Sequence, residues 1–383
     1  MAKATITLKL PFLGLNQNKA QEFEHWQEVN TQVANEILLL PKDERMELTS
    51  KDFAHIEIAS MFINQTIRNA NAETKVKKFD CLPLEVNNQG WSIHKVGETY
   101  SLSFSLKRGR TKRIPLEIHQ ANHTDILAML INEQAHKGSL KLWRSPKGIW
   151  YALISVSMEV PDPLKTAQFI GVDMGIVKIA VDSQGEEFSG APVEKVRQRY
   201  HNLRKNLQKK GSKSAKRHLK KINRRETNYR KDKNHIISKR IVEKAKETQS
   251  GIAVENLKHI RDRVIVRKSQ RATHHSWSFS QLQGFIEYKA KLNGIPFIIV
   301  DARNTSRECS ECHHIDKANR KTQAQFLCLS CGHNENADHN AAKVISQRAS
   351  VNKPIAVRPK LFPSLALGTA SSIHTAKAVG WSI

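Results

Sequence analysis

Phe169–Ser189 reads FIGVDMGIVKIAVDSQGEEFS. The stretch is largely apolar, and Ser183-Gln184-Gly185 supplies turn residues. The stretch is therefore expected to form a hairpin of two apolar strands around the Ser-Gln-Gly turn. Within it sits Asp173. A carboxylate in an apolar strand is costly to desolvate unless a cation accepts it.

Downstream, SGIAVENL (250–257) reads as a short apolar strand ending in Glu255. SWSFSQLQGFIEYKAKLNG (276–294) has helical periodicity and stops at Asn293-Gly294, and IPFIIVDA (295–302) is a further buried strand. NADHNAAKVI (336–345) opens a helix with Asp338 near its start. Strands alternating with helices indicate a mixed α/β domain. Taken singly, Asp173, Glu255 and Asp338 each have a bland reading as a strand-end acid or a helix cap. Together they fit an RNase H-like nuclease, in which acids from two neighbouring strands and a late helix converge on two divalent ions. Two ions about 4 Å apart activate water and stabilise the leaving oxygen in phosphodiester cleavage. Magnesium suits carboxylate and phosphate oxygens.

Between IPFIIVDA and NADHNAA lie Cys309-Ser310-Glu311-Cys312, fifteen intervening residues, and Cys328-Leu329-Ser330-Cys331. Two C-x-x-C knuckles at this spacing can place four thiolates around one tetrahedral zinc. Gly332 follows the second pair, where the turn favours a permissive residue. Four thiolates fill the coordination sphere, so this zinc is expected to be structural, with His313, His314 and His333 left outside it. The fifth cysteine, Cys81, reads as a small hydrophobe rather than a nucleophile.

The 383 residues carry 62 Lys and Arg against 36 Asp and Glu, a formal charge of +26. That excess points to a polyanionic partner. It is concentrated between Val193 and Ala245, where twenty Lys and Arg face four acids. Tyr200, Leu203, Leu207, Leu219, Ile222, Tyr229, Ile236, Ile237 and Ile241 recur there at helical intervals, with a break near Lys210-Gly211-Ser212. We expect a helical hairpin whose narrow apolar stripe packs down and whose basic faces meet phosphates. A merely solvated charged face is the bland alternative, and the scarcity of compensating acids weighs against it. Paired cysteines argue against a disulfide scaffold, no apolar run approaches the roughly 18 residues of a membrane span, and the N-terminus lacks signal-peptide features. A reducing, cytoplasmic setting is expected.

Upstream, ITLKLPF reads as a strand. QEFEHWQEVNTQVANEILLL places Phe23, Trp26, Val29, Val33 and Ile37 on one helical face, and AHIEIASMFINQTIRNANA forms a second helix. Strand patterns return in GWSIHKVGETYSLSF, RTKRIPLEIH and KGIWYALISVSMEV, with one short helix near Thr124 to Gln134. A β element interrupted by helices suggests a small barrel with a helical insertion, closed off by a Val160-Pro161-Asp162-Pro163 linker.

The order GVDMG, AVENL, TSRECSECHH, NRKTQAQFLC, LSCG, NADHNAA closely resembles TnpB, the insertion-sequence-encoded ancestor of the miniature type V CRISPR effectors. The resemblance is strong from about Ile170 to Ile345 and rests on compatible organisation elsewhere. It implies a multidomain α+β protein. Residues 1–15 and 76–163 would be a wedge-like β-barrel and 16–75 a helical recognition insertion. A split RuvC domain would span 164–302 and 335–350, including the basic hairpin at 193–245. A zinc ribbon would occupy 303–334, and 351–383 would be a loosely ordered tail. Asp173, Glu255 and Asp338 match the family's catalytic acids, and Arg320 matches a basic residue that assists them.

The resemblance further implies a monomer with one guide RNA that cleaves double-stranded DNA, using one structural zinc and two magnesium ions, with no membrane partner. The basic hairpin would grip RNA or heteroduplex by shape, while Lys75, Lys77 and Lys78 would read a target-adjacent DNA motif. Three other readings stay open: a guide-dependent DNA-binding repressor, an unguided transposase on the same fold, and a structural zinc protein that binds RNA without chemistry. The chain departs from many relatives at His313, where they carry Gly. A non-glycine there is tolerable if the turn avoids positive φ.

Overall fold

The computed structural model describes residues 2–73, 76–257 and 279–351. Lys75, the first residues of the helix expected from Ser276 and the tail beyond Val351 lie outside these ranges. The described chain divides into two compact units, one over Lys3–Glu159 and one from Val160 onward.

In the first unit, strand β1 (Ala2–Pro11) leads to helix α1 (Gln17–Leu39). The Asn16 side chain caps α1 by accepting from the Lys19 backbone N–H at 2.9 Å. The helix ends where Leu40 turns extended ahead of Pro41. Phe23, Trp26, Val33 and Ile37 are buried as the spacing requires, and Val29 is partly buried. A short helix α2 (Lys42–Glu47) follows, then α3 (Ser60–Ala72). The expected second helix thus begins six residues late: Ile58 forms a β-bridge with Lys107 and Ala59 bonds to Leu106, which diverts AHIEIA from helical geometry.

The strands that follow are β2 (Leu84–Val86), β3 (Trp91–Val96), β4 (Thr99–Lys107), β5 (Arg110–Pro115), β6 (Ala135–Arg144) and β7 (Trp150–Val160), with α4 (Ala121–Ile131) before β6. They pair as a four-stranded sheet, β1-β7-β6-β2, and a three-stranded sheet, β3-β4-β5. A bridge between Phe12 and Leu116 joins them. Both sheets and α1 and α3 share one core. Phe23, fully buried, packs against Phe12, Phe104 and Trp150, and truncating such a side chain costs about 3–5 kcal/mol.

In the second unit, β8 (Phe169–Asp173), β9 (Lys178–Asp182) and β10 (Glu187–Ser189) form an antiparallel meander. The two apolar strands therefore pair around Met174–Val177, and the Ser-Gln-Gly turn leads on to a third strand. Strand β11 (Gly251–Glu255) runs parallel to β8, and β12 (Phe297–Val300) parallel to β11, completing the order β10-β9-β8-β11-β12. β12 is an edge strand and only partly covered, with Ile299 exposed.

The basic segment forms three helices rather than a two-helix hairpin: α5 (Ala191–Lys210), α6 (Lys213–Ile222) and α7 (Arg225–Glu247). The extra break falls at Asn223-Arg224, where Arg224 adopts positive φ. Ile222, Ile237 and Ile241 are buried, whereas Ile236 is exposed and lies off the expected stripe.

Helix α7 and α8 (Phe279–Leu292) cover one face of the central sheet, through Ile237, Ile241, Leu282 and Ile286 against Ile170, Val172, Ile252 and Val254. Helix α9 (Ala337–Val351) covers the other, through Ile345 and Ala349 against Phe169 and Ala253. Coverage on both faces is why FIGVD and GIAVE are apolar throughout instead of alternating.

Candidate metal centres

Gly171 fixes how α9 lies on the sheet. A Cβ there would stand 2.0 Å from the Ala342 carbonyl oxygen and 2.5 Å from the Ser346 nitrogen, so only glycine admits the helix backbone. The Ser346 hydroxyl donates to the Phe169 carbonyl at 2.5 Å. Residues 346 and 342 thus sit over 169 and 171. Four helical residues rise about 6 Å and two strand residues about 6.6 Å, so the next step in the same register sets Asp338 beside Asp173. Pairing of Val172 with Val254 on the parallel neighbour sets Glu255 across from Asp173. Two strand ends and one helix start thus bring together three acids widely separated in sequence.

Their electrostatics follow from that placement. Burial, then the charges of Glu255 and Asp338, push the Asp173 carboxyl up to about 8, with Arg320 opposing. Burial also raises Glu255, against a hydrogen bond from Thr305 and the charges of Arg348 and Arg320. Arg320 donates to Asp338 at 3.0 Å and to the Gln323 carbonyl at 2.7 Å. Among the described residues, the four cysteines are the group whose ligand atoms all come within 4.8 Å of one another. The acids are thus close enough to repel, but are not drawn into a tight cluster. A carboxyl raised by burial and by two acidic neighbours suits a multivalent cation, whose charge would relieve both repulsion and desolvation.

The cysteines lie on two turns. The Sγ atoms of Cys309 and Cys331 are 3.7 Å apart, and those of Cys312 and Cys328 are 3.5 Å apart. Four sulfurs at about 2.3 Å from a tetrahedral zinc would be about 3.8 Å apart, so the set fits that ion with little adjustment. Gly332 has φ +74°, as its turn demands. His313 has φ +60°, so the condition for a tolerable non-glycine fails at the matching turn. The strain is held by contacts: His313 Nδ1 lies 3.0 Å from Glu308, which also receives Arg348.

Two asparagines tie this ribbon together and to α9. Fully buried Asn319 donates to the Arg307 and His314 carbonyls and accepts from Leu329, joining the knuckles. Fully buried Asn340 accepts from the Ser310 N–H at 3.0 Å and donates to the Glu308 carbonyl at 2.7 Å. Since Asn340 lies one turn from Asp338's end of the helix, the first knuckle and the third acid are mechanically coupled.

Sequence reading did not single out Thr305, Arg348, Glu308, Asn319 or Asn340. Thr305 and Glu308 stand within the motif TSREC, but nothing in its spacing says that a hydroxyl would reach back to Glu255. Lys77 and Lys78 line a cleft of about 850 Å³ together with Glu24, Glu28 and Glu36. Acids in the same cleft offset their charge, which gives no support to a phosphate-reading role there. Among the described residues no helix is long and apolar enough to cross a membrane.

Residues 153–261 match the family described as probable transposase, OrfB_IS605, and residues 279–345 match the Cas12f1-like TNB domain. The CRISPR-associated endodeoxyribonuclease Cas12f1 of Sulfoacidibacillus thermotolerans is 28% identical over 69% of this chain and 68% of its own length. A putative RNA-guided DNA endonuclease of Escherichia coli K12, InsQ, is 28% identical over 52% of this chain and 53% of its own. The fold aligns with a solved Cas12f1–sgRNA–target DNA complex at a TM-score of 0.65 and 15% identity, over 86% of this chain and 83% of that one. The architecture is thus that of an α+β multidomain protein with the type V effector fold. Over these stretches the chain is similar both to insertion-sequence TnpB-type proteins and to the Cas12f1 effectors.

Proposed function

We propose that the protein is an RNA-guided DNA endonuclease that hydrolyses target phosphodiester bonds at Asp173, Glu255 and Asp338. The carrying observation is the convergence of these acids and Arg320 at two parallel strand ends and one helix start. Relatives named as RNA-guided or CRISPR-associated DNA endonucleases support the reading. The α5–α7 bundle supports a polyanionic partner, because its basic side chains greatly outnumber the acids that could neutralise them. In this reading the central sheet and α9 form a RuvC, RNase H-like domain interrupted by the ribbon, and the two sheets of the first unit form the wedge around a helical recognition insertion.

Magnesium held by the three carboxylates would supply an activated water and neutralise charge on the leaving oxygen. The chain's own residues prepare for this. Glu255 is buried, which limits screening of its charge by bulk water, Thr305 orients it, and Arg320 stands ready to turn from Asp338 to a phosphate oxygen. Zinc held by Cys309, Cys312, Cys328 and Cys331 would do no chemistry; it would fix the segment that carries Arg320 and abuts α9.

The test is plasmid cleavage by the protein with its co-purified RNA, wild type against Asp173→Ala. Cutting should vanish in the variant while RNA binding persists. Cutting that survives would remove the acids from the mechanism; binding without cutting in the wild type would favour a repressor; end-joining without RNA would favour a transposase.

A further inference from the structure

The outward face of the first unit's four-stranded sheet carries aromatic side chains that the core does not use. Strands β6 and β7 pair Leu142 with Ala152 and Trp143 with Tyr151. Leu142 and Ala152 are fully buried, so alternation sends Trp143 and Tyr151 to the opposite face. Their ring centroids are 5.6 Å apart at 41°. From the edge strand, exposed Lys9 sets its ammonium 4.3 Å from both ring centroids. Beside them, Lys141 occupies the same face, 3.1 Å from Glu85, and exposed Lys3 stands further along β1.

Two large aromatics outside the core, roofed by the Lys9 ammonium, combine the elements that bind unpaired nucleic acid. Rings stack on bases of any identity, and ammonium groups take the backbone. Paired bases hide their faces, and RNA presents unpaired bases in loops and bulges. We propose that Trp143, Tyr151 and Lys9 form a stacking platform for an unpaired stretch of the RNA partner. This rests on the guided-nuclease reading for the presence of RNA, and adds where a base is gripped. A purely structural role, with Lys9 tying the edge strand β1 to the sheet, predicts that the rings affect stability and leave RNA binding alone.

The test measures affinity for the co-purified RNA across a salt series, with melting temperature recorded for each protein. Trp143→Leu combined with Tyr151→Leu keeps apolar bulk but removes stacking. It should raise the dissociation constant roughly ten- to a hundredfold with an unchanged salt slope, while Lys9→Ala should flatten the slope by roughly 0.7. Ultraviolet crosslinking of the wild type should give RNA adducts on Trp143 or Tyr151, and this arm decides should the double variant fail to fold. An affinity within twofold of wild type, or adducts confined to other sites or formed there by DNA instead, overturns the platform. A wild type with no preferred RNA at all would instead sink the guided reading beneath it.

Discussion

The hydroxyl of Thr305 donates to the carboxylate of Glu255, joining the segment that enters the first cysteine pair to a strand end fifty residues earlier. Thr305 is almost fully buried and also lies 3.1 Å from the Ala302 carbonyl, so its side chain has little freedom. A hydrogen bond to a charged group contributes about 1.5–3 kcal/mol. Thr305→Val should therefore slow cleavage roughly ten- to a hundredfold and raise the magnesium concentration for half-maximal rate. Thr305→Ser should restore both. A valine variant with wild-type magnesium dependence would show that the contact is structural.

Arg320 shares Asp338 with whatever cation binds there. Removing the guanidinium leaves the three acids with less compensating charge, so Arg320→Ala should bind manganese, a spectroscopic stand-in for magnesium, more tightly. Its cleavage should nevertheless fall, by roughly tenfold or more, for want of a cation at the phosphate. Manganese titration by electron paramagnetic resonance, alongside single-turnover cleavage, separates the two effects. Weaker manganese binding would contradict the competition.

The Asp173 carboxyl is raised from an ordinary 3.8 to about 8 by burial and its acidic neighbours. Between those values the folded protein holds a proton that the unfolded chain has lost, so stability should fall as pH rises from about 4 to 8. In buffer without magnesium, the wild-type melting temperature should decline across that window. Asp173→Asn should flatten the decline and be the more stable protein at pH 8. Added magnesium should stabilise the wild type and not the variant. A pH-independent difference between the two proteins would show that the acids do not repel as their burial implies.

Gly171→Ala places a methyl 2.0 Å from a helix carbonyl. The helix must move or the strand must yield, and overpacking of this kind costs about 1–3 kcal/mol or more. Because α9 carries Asp338, cleavage should fall further than the melting temperature accounts for. Activity equal to wild type below the melting transition would mean the helix tolerates displacement.

Stripping the ribbon of its metal by chelation should abolish cutting, and magnesium alone should not restore it, whereas one equivalent of zinc should. The coupling runs through Asn340, which binds the first knuckle, and through Arg320. Asn340→Leu should therefore mimic partial zinc loss, with normal zinc content but reduced cleavage. Full activity in that variant would uncouple ribbon from site.

The four cysteines, which the fold groups together, could be read from the chain by their knuckle spacing, and the proposed acids Asp173, Glu255 and Asp338 stand out for equally local reasons: an acid in an apolar run, an acid at a strand end, an acid at a helix start. The strands around Asp173 were equally plain, although which turn joined them was not, since Met174–Val177 offers a single turn residue, Gly175, against the Ser183-Gln184-Gly185 cluster further on. The break at Asn223-Arg224 escaped because an arginine at positive φ leaves no compositional mark. Contacts such as Thr305 with Glu255, Asn340 with Ser310 and Gly171 with Ala342 depend on residues brought together only by packing. No period or spacing announces them, and they are what turn separate motifs into one centre.

The placement of the ribbon ahead of α9 has a biosynthetic side. On the ribosome, Asp173 and Glu255 emerge long before Asp338, and the helix bearing the last acid docks on the Gly171 groove with the neighbouring knuckle already clamped to it. On the proposed reading a newly made chain would stay inert until it had captured zinc, and zinc supply would become a checkpoint on when it first acquires the ability to cut.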